Sequence, residues 1–132
     1  MILTRQRGPT LRQRLFQQPV RLEFSAAAER DLSLIFDHLF DSYCSFGEPP
    51  GEASSHAAER VRKIRGNADR ICIAPDRGTT HDDIIPGLRH LTIERAIFWY
   101  VVDECEAVVR KLAVFFGGQH HVRHMLLRLS AD

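Results

Sequence analysis

Lysine is scarce in this 132-residue sequence, since only Lys63 and Lys111 occur among its 18 basic residues. Almost all of the positive charge is therefore arginine, which is always ionised and binds phosphates and carboxylates through a planar, forked guanidinium. The net charge is only +1, because acidic and basic stretches alternate along the chain. None of these stretches is long enough for repulsion between like charges to keep it disordered. A hydrophobic content of 44% indicates one soluble globular domain with a modest core.

Cysteine is also scarce, and its pattern excludes two kinds of stabilising site. Cys44, Cys72 and Cys105 are odd in number, lie far apart and form no C-x-x-C pair. Neither a disulfide framework nor a zinc knuckle is expected from this spacing. We interpret the three residues as small buried hydrophobes of a protein in a reducing compartment.

The sequence lacks long apolar runs. No segment approaches the roughly 20 residues of a membrane-spanning helix, so no membrane association is expected. Residues 1–19 carry arginines but no apolar core of the signal-peptide kind, and we therefore predict a cytoplasmic protein. This segment is interpreted as an N-terminal extension, either flexible or the product of a coding start placed too far upstream.

Regular periodicity begins after Pro19. Apolar and charged residues alternate over residues 20–24, which predicts a strand with one buried face. Ser25 stands where a helix N-cap would, and apolar residues at helical spacing predict an amphipathic helix over residues 26–43. These two elements open a domain that we predict to span residues 20–130.

The next segment predicts a helical hairpin. Residues 46–51 contain two prolines and two glycines and predict a connecting loop. A second helix follows, and its small inner residues would allow close packing against the first helix. Those inner residues are Ala57, Val61, Ile64 and Ala68. Residues 67–80 predict a long, turn-rich connection.

The C-terminal half predicts three antiparallel strands and a helix. Residues 96–102 are almost wholly apolar, which favours the middle position in the sheet, between strands over residues 88–93 and 107–116. After Gly117, apolar residues return to helical spacing over residues 122–129. Helices that precede a run of strands indicate an α+β domain, with the hairpin packed on one face of the sheet.

Five short motifs occur in a fixed order within this pattern. They are FSAAAERDL at residues 24–32, PDRG at 75–78, GLR at 87–89, the pair Arg95 and Tyr100, and FGGQ at 116–119. In this order, over residues 20–129, the chain resembles the ParE/RelE family of bacterial toxins. Ala96 departs from the family pattern, which usually has an aromatic residue there. The resemblance implies an N-terminal strand, an α-helical hairpin, a three-stranded antiparallel meander and a short C-terminal helix.

The resemblance implies one of two activities. RelE-type toxins cleave mRNA in a groove where cationic side chains stabilise phosphate charge and a tyrosine or histidine moves a proton. The matching candidates here are Arg89, Arg95, His120, His121 and Arg123. ParE-type toxins block DNA gyrase by binding, which needs no catalytic set. The strands between residues 87 and 100 lack lysine and no acid/base pair is visible, so the sequence favours the ParE type.

Several candidate residues have simpler structural interpretations. Arg89 could brace the sheet by pairing with an acid, and Asp82, Asp83 and Glu94 are the nearby choices. Phe98 and Trp99 are expected to be core residues. His120 and His124 are four apart on a predicted helix and could share a metal ion, but no third firm ligand is evident. We therefore expect neither a metal nor another cofactor.

These observations support one hypothesis and leave two alternatives open. The hypothesis is the toxin half of a type II toxin–antitoxin pair of the plasmid-stabilisation type, which arrests growth by binding gyrase. A cognate antitoxin would fold an acidic segment over the toxin's apolar and arginine-bearing grooves. The residues expected to bind target or antitoxin are Arg89, Arg95, Phe116, Gln119, His120 and Arg123.

The alternatives are an mRNA interferase acting on RNA, with or without the ribosome, and an inactive antitoxin-binding remnant. A homodimer and a heterotetramer with the antitoxin are both compatible with the sequence.

Overall fold

The computed structural model describes residues 20–117 and 120–130. The predicted N-terminal extension, residues 1–19, and the candidate Gln119 both lie outside this range. The elements follow in the order β1 (Arg21–Phe24), α1 (Ala26–Ser45), α2 (Pro50–Asn67), α3 (Asp69–Ile73), β2 (Thr79–Thr80), β3 (Leu88–Ile93), β4 (Ala96–Asp103), β5 (Val108–Phe116) and α4 (His121–Ser130).

The strands form one mixed sheet in the order β1-β5-β4-β3-β2. β1 runs parallel to β5, and the remaining neighbours are antiparallel. The predicted meander of three antiparallel strands is confirmed, and the apolar strand β4 lies between β3 and β5 as expected. The α+β class is also confirmed, with the α1–α2 hairpin preceding the meander.

The sheet is covered by protein on both faces. The larger core lies under the hairpin, where Leu32 and Ile35 of α1 pack toward Phe98 and Tyr100 of β4. The smaller core lies on the other face, around Trp99 and Met125. Because successive side chains of a strand point to opposite faces, the consecutive aromatics of β4 serve both cores. This double burial explains why β4 is apolar along almost its whole length.

The helical hairpin forms largely as predicted, with one correction at its loop. The Ser25 hydroxyl accepts a hydrogen bond from the backbone N–H of Ala28 at 3.0 Å, which caps α1. The loop predicted over residues 46–51 is too long, because α2 begins at Pro50. Proline is tolerated in the first turn of a helix, since the N–H it lacks has no intrahelical partner there.

The connection predicted over residues 67–80 contains regular structure as well as turns. It includes α3 and β2, the latter pairing with β3. Gly78, at φ +101°, lies against the sheet so closely that a Cβ would come within 2.8 Å of both the His90 carbonyl oxygen and the Tyr100 hydroxyl. The buried Tyr100 hydroxyl donates toward the carbonyls of Pro75 and Arg77, at 3.0 and 2.7 Å. The connection is therefore held tightly against β3 and β4.

The C-terminal helix α4 is anchored to α1 and β5 by a forked ion pair. Both Arg128 guanidinium Nη atoms lie 2.7 Å from the buried Asp31 carboxylate. The same carboxylate accepts a hydrogen bond from the backbone N–H of Val114 at 2.9 Å. This arrangement fixes α4 across the smaller core, so its first residue, His121, lies at a defined place on the sheet.

Two further expectations concern the cysteines and membrane-spanning helices. Cys44 and Cys72 are free and partly buried, whereas Cys105 is exposed in the β4–β5 turn. The expectation that all three are buried hydrophobes is therefore wrong for Cys105. Among the helices of the described residues, none has the length and apolar character needed to cross a membrane.

Candidate functional site

Three histidines surround Trp99 on the sheet face opposite the hairpin. We call His81, His90, His121 and Trp99 the imidazole cluster. The ring centroids of His81, His90 and His121 lie 4.6, 4.9 and 5.6 Å from that of Trp99. The indole is fully buried, whereas the three imidazoles are partly exposed. The cluster thus presents imidazole groups at the surface, above the buried indole ring.

Each member of the cluster is positioned by a different part of the chain. His90 on β3 is the cross-strand partner of Trp99 on β4, so their side chains share one face. His81 follows β2, and its backbone N–H donates to the Leu88 carbonyl at 2.8 Å, which extends the pairing with β3. His121 is the first residue of α4. Sheet register and the anchored helix together bring the four rings into contact.

Two hydrogen bonds link the rings. His81 Nε2 and His90 Nδ1 lie 2.7 Å apart, so one imidazole donates a proton to the other. The Trp99 indole N–H donates to His121 Nδ1 at 3.2 Å. The His121 ring meets the His90 ring edge-on, with centroids 4.7 Å apart. The cluster is therefore connected through hydrogen bonds and direct ring contacts.

Burial and repulsion between the imidazoles lower the pKa values of His90 and His121, which favours their uncharged forms. Burial, with smaller effects of His121 and His81, lowers the pKa of His90 from 6.5 to about 4. Burial and His81 also lower the pKa of His121. A neutral imidazole carries both a proton donor and a proton acceptor, which is the property required for acid–base chemistry.

The predicted site residue Arg89 lies on the opposite face from the cluster. Its guanidinium donates to the Asp76 carbonyl at 2.7 Å and approaches the Gly78 carbonyl at 3.5 Å. It therefore braces the connection before β3, as the structural interpretation expected, but through backbone carbonyls and not through the acids considered. Two of those acids have other partners: Asp82 accepts from the backbone N–H of Gly87, and Glu94 accepts from the Asn67 amide.

Arg95 and Phe116 form a separate group at the start of β4 and the end of β5. Arg95 and the preceding Glu94 both have positive φ, 73° and 51°, in the two-residue turn between β3 and β4. The Arg95 guanidinium lies 5.2 Å from the Phe116 ring centroid, and the Arg60 guanidinium lies 5.9 Å from it. The Phe116 side chain packs against the larger core, away from the imidazole cluster.

The remaining predicted residues lie at or near the start of α4. His120 and Arg123 are exposed, and the Arg123 side chain forms no hydrogen bond or ion pair within the described residues. His124 contacts the Phe115 ring at 5.9 Å and does not join the cluster. Of the predicted site residues that the structure describes, only His121 is therefore part of the cluster. In the described range, no set of three or more His, Cys, Asp or Glu side chains is arranged to hold a metal ion.

A groove on the other side of α4 offers an apolar surface. It has a volume of about 330 Å³ and lies between α1, β5 and α4, with the Asp31–Arg128 ion pair at its edge. Leu34 on α1 is 64% exposed at its rim. We call this the α1–α4 groove. Exposed leucines continue along α4 at Leu126 and Leu127.

His81, His90 and the role of Trp99 are not evident from the sequence. These residues are far apart in the chain, and no local motif links them. One signal was available, because His90 alternates with Leu88 in a predicted strand and so belongs on a buried face. The pairing of His90 with Trp99 depends on strand register, which the sequence pattern alone does not specify.

Comparisons with known proteins identify the fold. No family model matches this sequence, and no curated protein matches it significantly. The structure of the chromosomal ParDE toxin–antitoxin system from P. aeruginosa is similar, with a TM-score of 0.55 and 20% identity over 75% of this chain and 97% of that chain. The RelBE2 complex from Mycobacterium tuberculosis has a TM-score of 0.48 at 17% identity, covering 74% of this chain and 91% of that one. The isolated E. coli RelE toxin has a TM-score of 0.48 at 10% identity, covering 84% of this chain and 98% of that one.

The chain is thus a small α+β protein in which a helical hairpin covers one face of a meander and a C-terminal helix covers the other. This architecture is the ParE/RelE toxin fold, as the similarity to the ParDE structure shows. The resemblance stated from the motifs is confirmed at the level of the fold.

Proposed function

We propose that this protein is the toxin of a two-component toxin–antitoxin pair and that it cleaves RNA at the imidazole cluster. The shared fold with the ParDE system supports the toxin assignment. The observation that supports cleavage is the hydrogen-bonded contact of His81 with His90, beside His121, on a partly exposed surface. An unprotonated imidazole nitrogen has a lone pair that accepts the proton of a hydroxyl nucleophile.

The reaction uses the 2′-hydroxyl of the RNA as the nucleophile. Its oxygen forms a bond to the adjacent phosphorus while the bond from phosphorus to the 5′-oxygen breaks. The proton released by the 2′-hydroxyl passes to the His81–His90 pair, and the imidazolium returns a proton through water to the leaving 5′-oxygen. The products are a 2′,3′-cyclic phosphate and a 5′-hydroxyl, and no external reactant is consumed.

In this proposal, groups at the start of α4 bind the negatively charged phosphate. The helix begins at the cluster, where its first N–H groups and its dipole favour an anion. Arg123 lies in the first turn, and its exposed side chain has no hydrogen-bond or ion-pair partner among the described residues. Its guanidinium is free to bind a phosphate of an RNA strand that crosses the cluster. His120 is exposed beside it and is the second candidate for this contact.

The antitoxin is proposed to occupy the α1–α4 groove. The groove floor is formed by apolar residues of β5, and its rim carries the exposed Leu34. A neighbouring concave surface that shares Asp31 and Leu34 adds Arg30. An amphipathic acidic helix complements both features, with leucines in the groove and carboxylates near the arginines.

A second candidate function is inhibition of DNA gyrase by binding, which the sequence favoured. It is supported by the placement of the predicted cations, since Arg89 binds loop carbonyls and Arg95 lies beside Phe116. Neither guanidinium is directed to the imidazole cluster. A protein that acts only by binding does not need its cationic side chains to be gathered at one catalytic cluster.

One pair of assays separates the two candidates. Purified protein is added to a labelled RNA, both free and during translation, and in parallel to a gyrase supercoiling reaction. We expect RNA cleavage without loss of supercoiling. His90→Gln should reduce the cleavage rate by about 100-fold, a typical contribution of a positioned acid or base.

The matched control is His124→Gln, which removes a histidine of α4 outside the cluster. It should leave cleavage unchanged. Intact RNA together with lost supercoiling would establish the gyrase candidate and overturn RNA cleavage. Normal growth of cells that express the soluble protein without its antitoxin would contradict the toxin assignment itself.

A further inference from the structure

We propose that Trp99 is a positioning residue that fixes His121 as a hydrogen-bond donor toward the RNA phosphate, an inference that rests on the proposed RNA cleavage. Trp99 acts through its indole N–H, which holds the His121 proton on Nε2. His121 then presents Nε2–H at the surface, where it binds a phosphate oxygen as charge develops during attack.

The chemistry of the two rings fixes the direction of their hydrogen bond. The indole nitrogen of tryptophan is a donor only, so the 3.2 Å contact requires His121 Nδ1 to be the acceptor. An imidazole whose Nδ1 accepts must carry its proton on Nε2. Protonation of both nitrogens would place two N–H groups against each other and break the contact. The indole therefore selects one tautomer of a neutral ring.

Trp99 is held rigidly enough to impose this selection. It is fully buried in the central strand β4, and it packs in the smaller core beside Met125 of α4. On the other side of α4, the Asp31–Arg128 ion pair holds the helix in place. The donor and the acceptor therefore belong to two anchored elements.

The groups that face His121 reinforce its neutral state. His90 of β3 meets it edge-on at 4.7 Å, and His81 lies beside His90. Both are imidazoles, and neither offers a negative charge that would stabilise an imidazolium. The lowered pKa of His121, caused mainly by burial, agrees with this arrangement. A neutral imidazole that donates a fixed N–H can stabilise developing negative charge without moving a proton.

The test exploits the fact that Trp99 is the only tryptophan of the chain. Replacement by benzothienylalanine keeps the bicyclic shape and removes the N–H donor. Trp99→Phe is the second variant and also removes the donor. Nitrogen NMR of histidine-labelled protein reports the tautomer and pKa of His121, and steady-state kinetics reports kcat and KM for RNA.

In the unaltered protein we expect the Nε2–H tautomer of His121. Without the donor, we expect a mixture of tautomers, a pKa closer to 6.5, and a kcat lowered by about 10-fold to 100-fold with an unchanged KM. The proposal is overturned if His121 carries its proton on Nδ1 in the unaltered protein. It is equally overturned if the benzothienyl variant keeps both the tautomer and kcat.

The NMR readout also separates this inference from the proposed function. If the tautomer depends on the indole N–H but no variant cleaves RNA, the positioning contact stands and RNA cleavage fails. If RNA is cleaved at the same rate with and without the donor, cleavage stands and the positioning role fails. Histidine signals of His38 and His56, which lie outside the cluster, should not change in either variant.

Discussion

Asp31 and Arg128 connect the first helix of the hairpin to the last helix of the chain through two hydrogen bonds of 2.7 Å. The Asp31 side chain is 6% exposed, and Arg128 is 29% exposed. Because the pair holds α4 against the sheet, it also places His121 beside Trp99. The stability of the fold and the assembly of the imidazole cluster therefore depend on the same contact.

Asp31→Asn should destabilise the protein by about 2–3 kcal/mol. The change removes the negative charge of Asp31 from the forked contact with the partly buried Arg128 guanidinium, and partial exposure of Arg128 reduces the full cost of breaking a buried pair. Urea denaturation measures this difference. Glu29→Gln is the matched control, because Glu29 forms an equally short but exposed ion pair with Arg65. That control should cost less than about 1 kcal/mol, and equal costs for the two changes would refute the importance assigned to Asp31.

Lys111 is the one buried side chain of the described residues that has a polar atom without a hydrogen-bond partner. Its Nζ lies 5.7 and 5.9 Å from the ring centroids of Phe24 and Tyr100. Burial lowers the pKa of Lys111 from 10.5 to about 8. Lys111→Met should therefore stabilise the protein at pH 7, since it removes a charge whose burial the two rings and Asp69 do not fully offset.

The pH dependence of this effect has a definite sign. Between pH 8 and 10.5 the unfolded chain holds the Lys111 proton and the folded chain does not, so the free energy of unfolding increases as pH rises. A shift from 10.5 to about 8 corresponds to roughly 3 kcal/mol. Burial raises the pKa of Cys72, which acts in the opposite direction, and Cys72 also interacts with Lys111. The difference between Lys111 and Lys111→Met is therefore measured in a Cys72→Ala background, which removes the thiol titration. A difference that stays constant from about pH 7 to about pH 10 would contradict the assigned pKa.

Gly78→Ala should destabilise the protein by more than about 2 kcal/mol, through backbone strain together with overpacking. The added Cβ would lie 2.8 Å from the His90 carbonyl oxygen, in a backbone conformation at φ +101° that disfavours side chains. Gly66→Ala is the control, because Gly66 is within α2 and nothing lies within 4 Å of the place that its Cβ would take. Thermal unfolding should show a lower Tm for Gly78→Ala and a higher Tm for Gly66→Ala.

Leu34→Asp should abolish neutralisation by the antitoxin and leave RNA cleavage intact. The substitution places a negative charge at the rim of the α1–α4 groove, where an acidic partner is proposed to bind. Co-expression of toxin variant and antitoxin, scored by growth, measures the effect. Asp37→Asn, at an exposed position of the same helix, should leave neutralisation intact. Rescue of Leu34→Asp cells by the antitoxin would place the antitoxin elsewhere.

The fold is largely predictable from the sequence because its signals are local. Alternation over residues 20–24, helical spacing after Ser25, and the apolar run of β4 each report which face of an element is buried. The errors have local causes as well. Pro50 lies in a segment whose prolines and glycines predict a loop, although proline is also common in the first turn of a helix. The short elements α3 and β2 carry too few residues to show a period.

The candidate site is predictable only in part, because it depends on register. His121 is a candidate from its place after Gly117, but His90 reaches it through the pairing of β3 with β4. The Gly-Leu-Arg motif draws attention to Arg89, which the structure places away from the imidazole cluster. Adjacent strand residues point to opposite faces, and so the next residue, His90, is the one that faces the cluster.

The most direct test of the account is mass spectrometry of the ends produced when the purified protein cleaves a defined RNA. Attack by the 2′-hydroxyl with proton transfer to the His81–His90 pair predicts a 2′,3′-cyclic phosphate on one fragment and a 5′-hydroxyl on the other. A 2′-deoxy nucleotide at the cleaved position should then block the reaction. Fragments that carry a 5′-phosphate, or an RNA left intact both free and during translation, would contradict the catalytic role of the imidazole cluster.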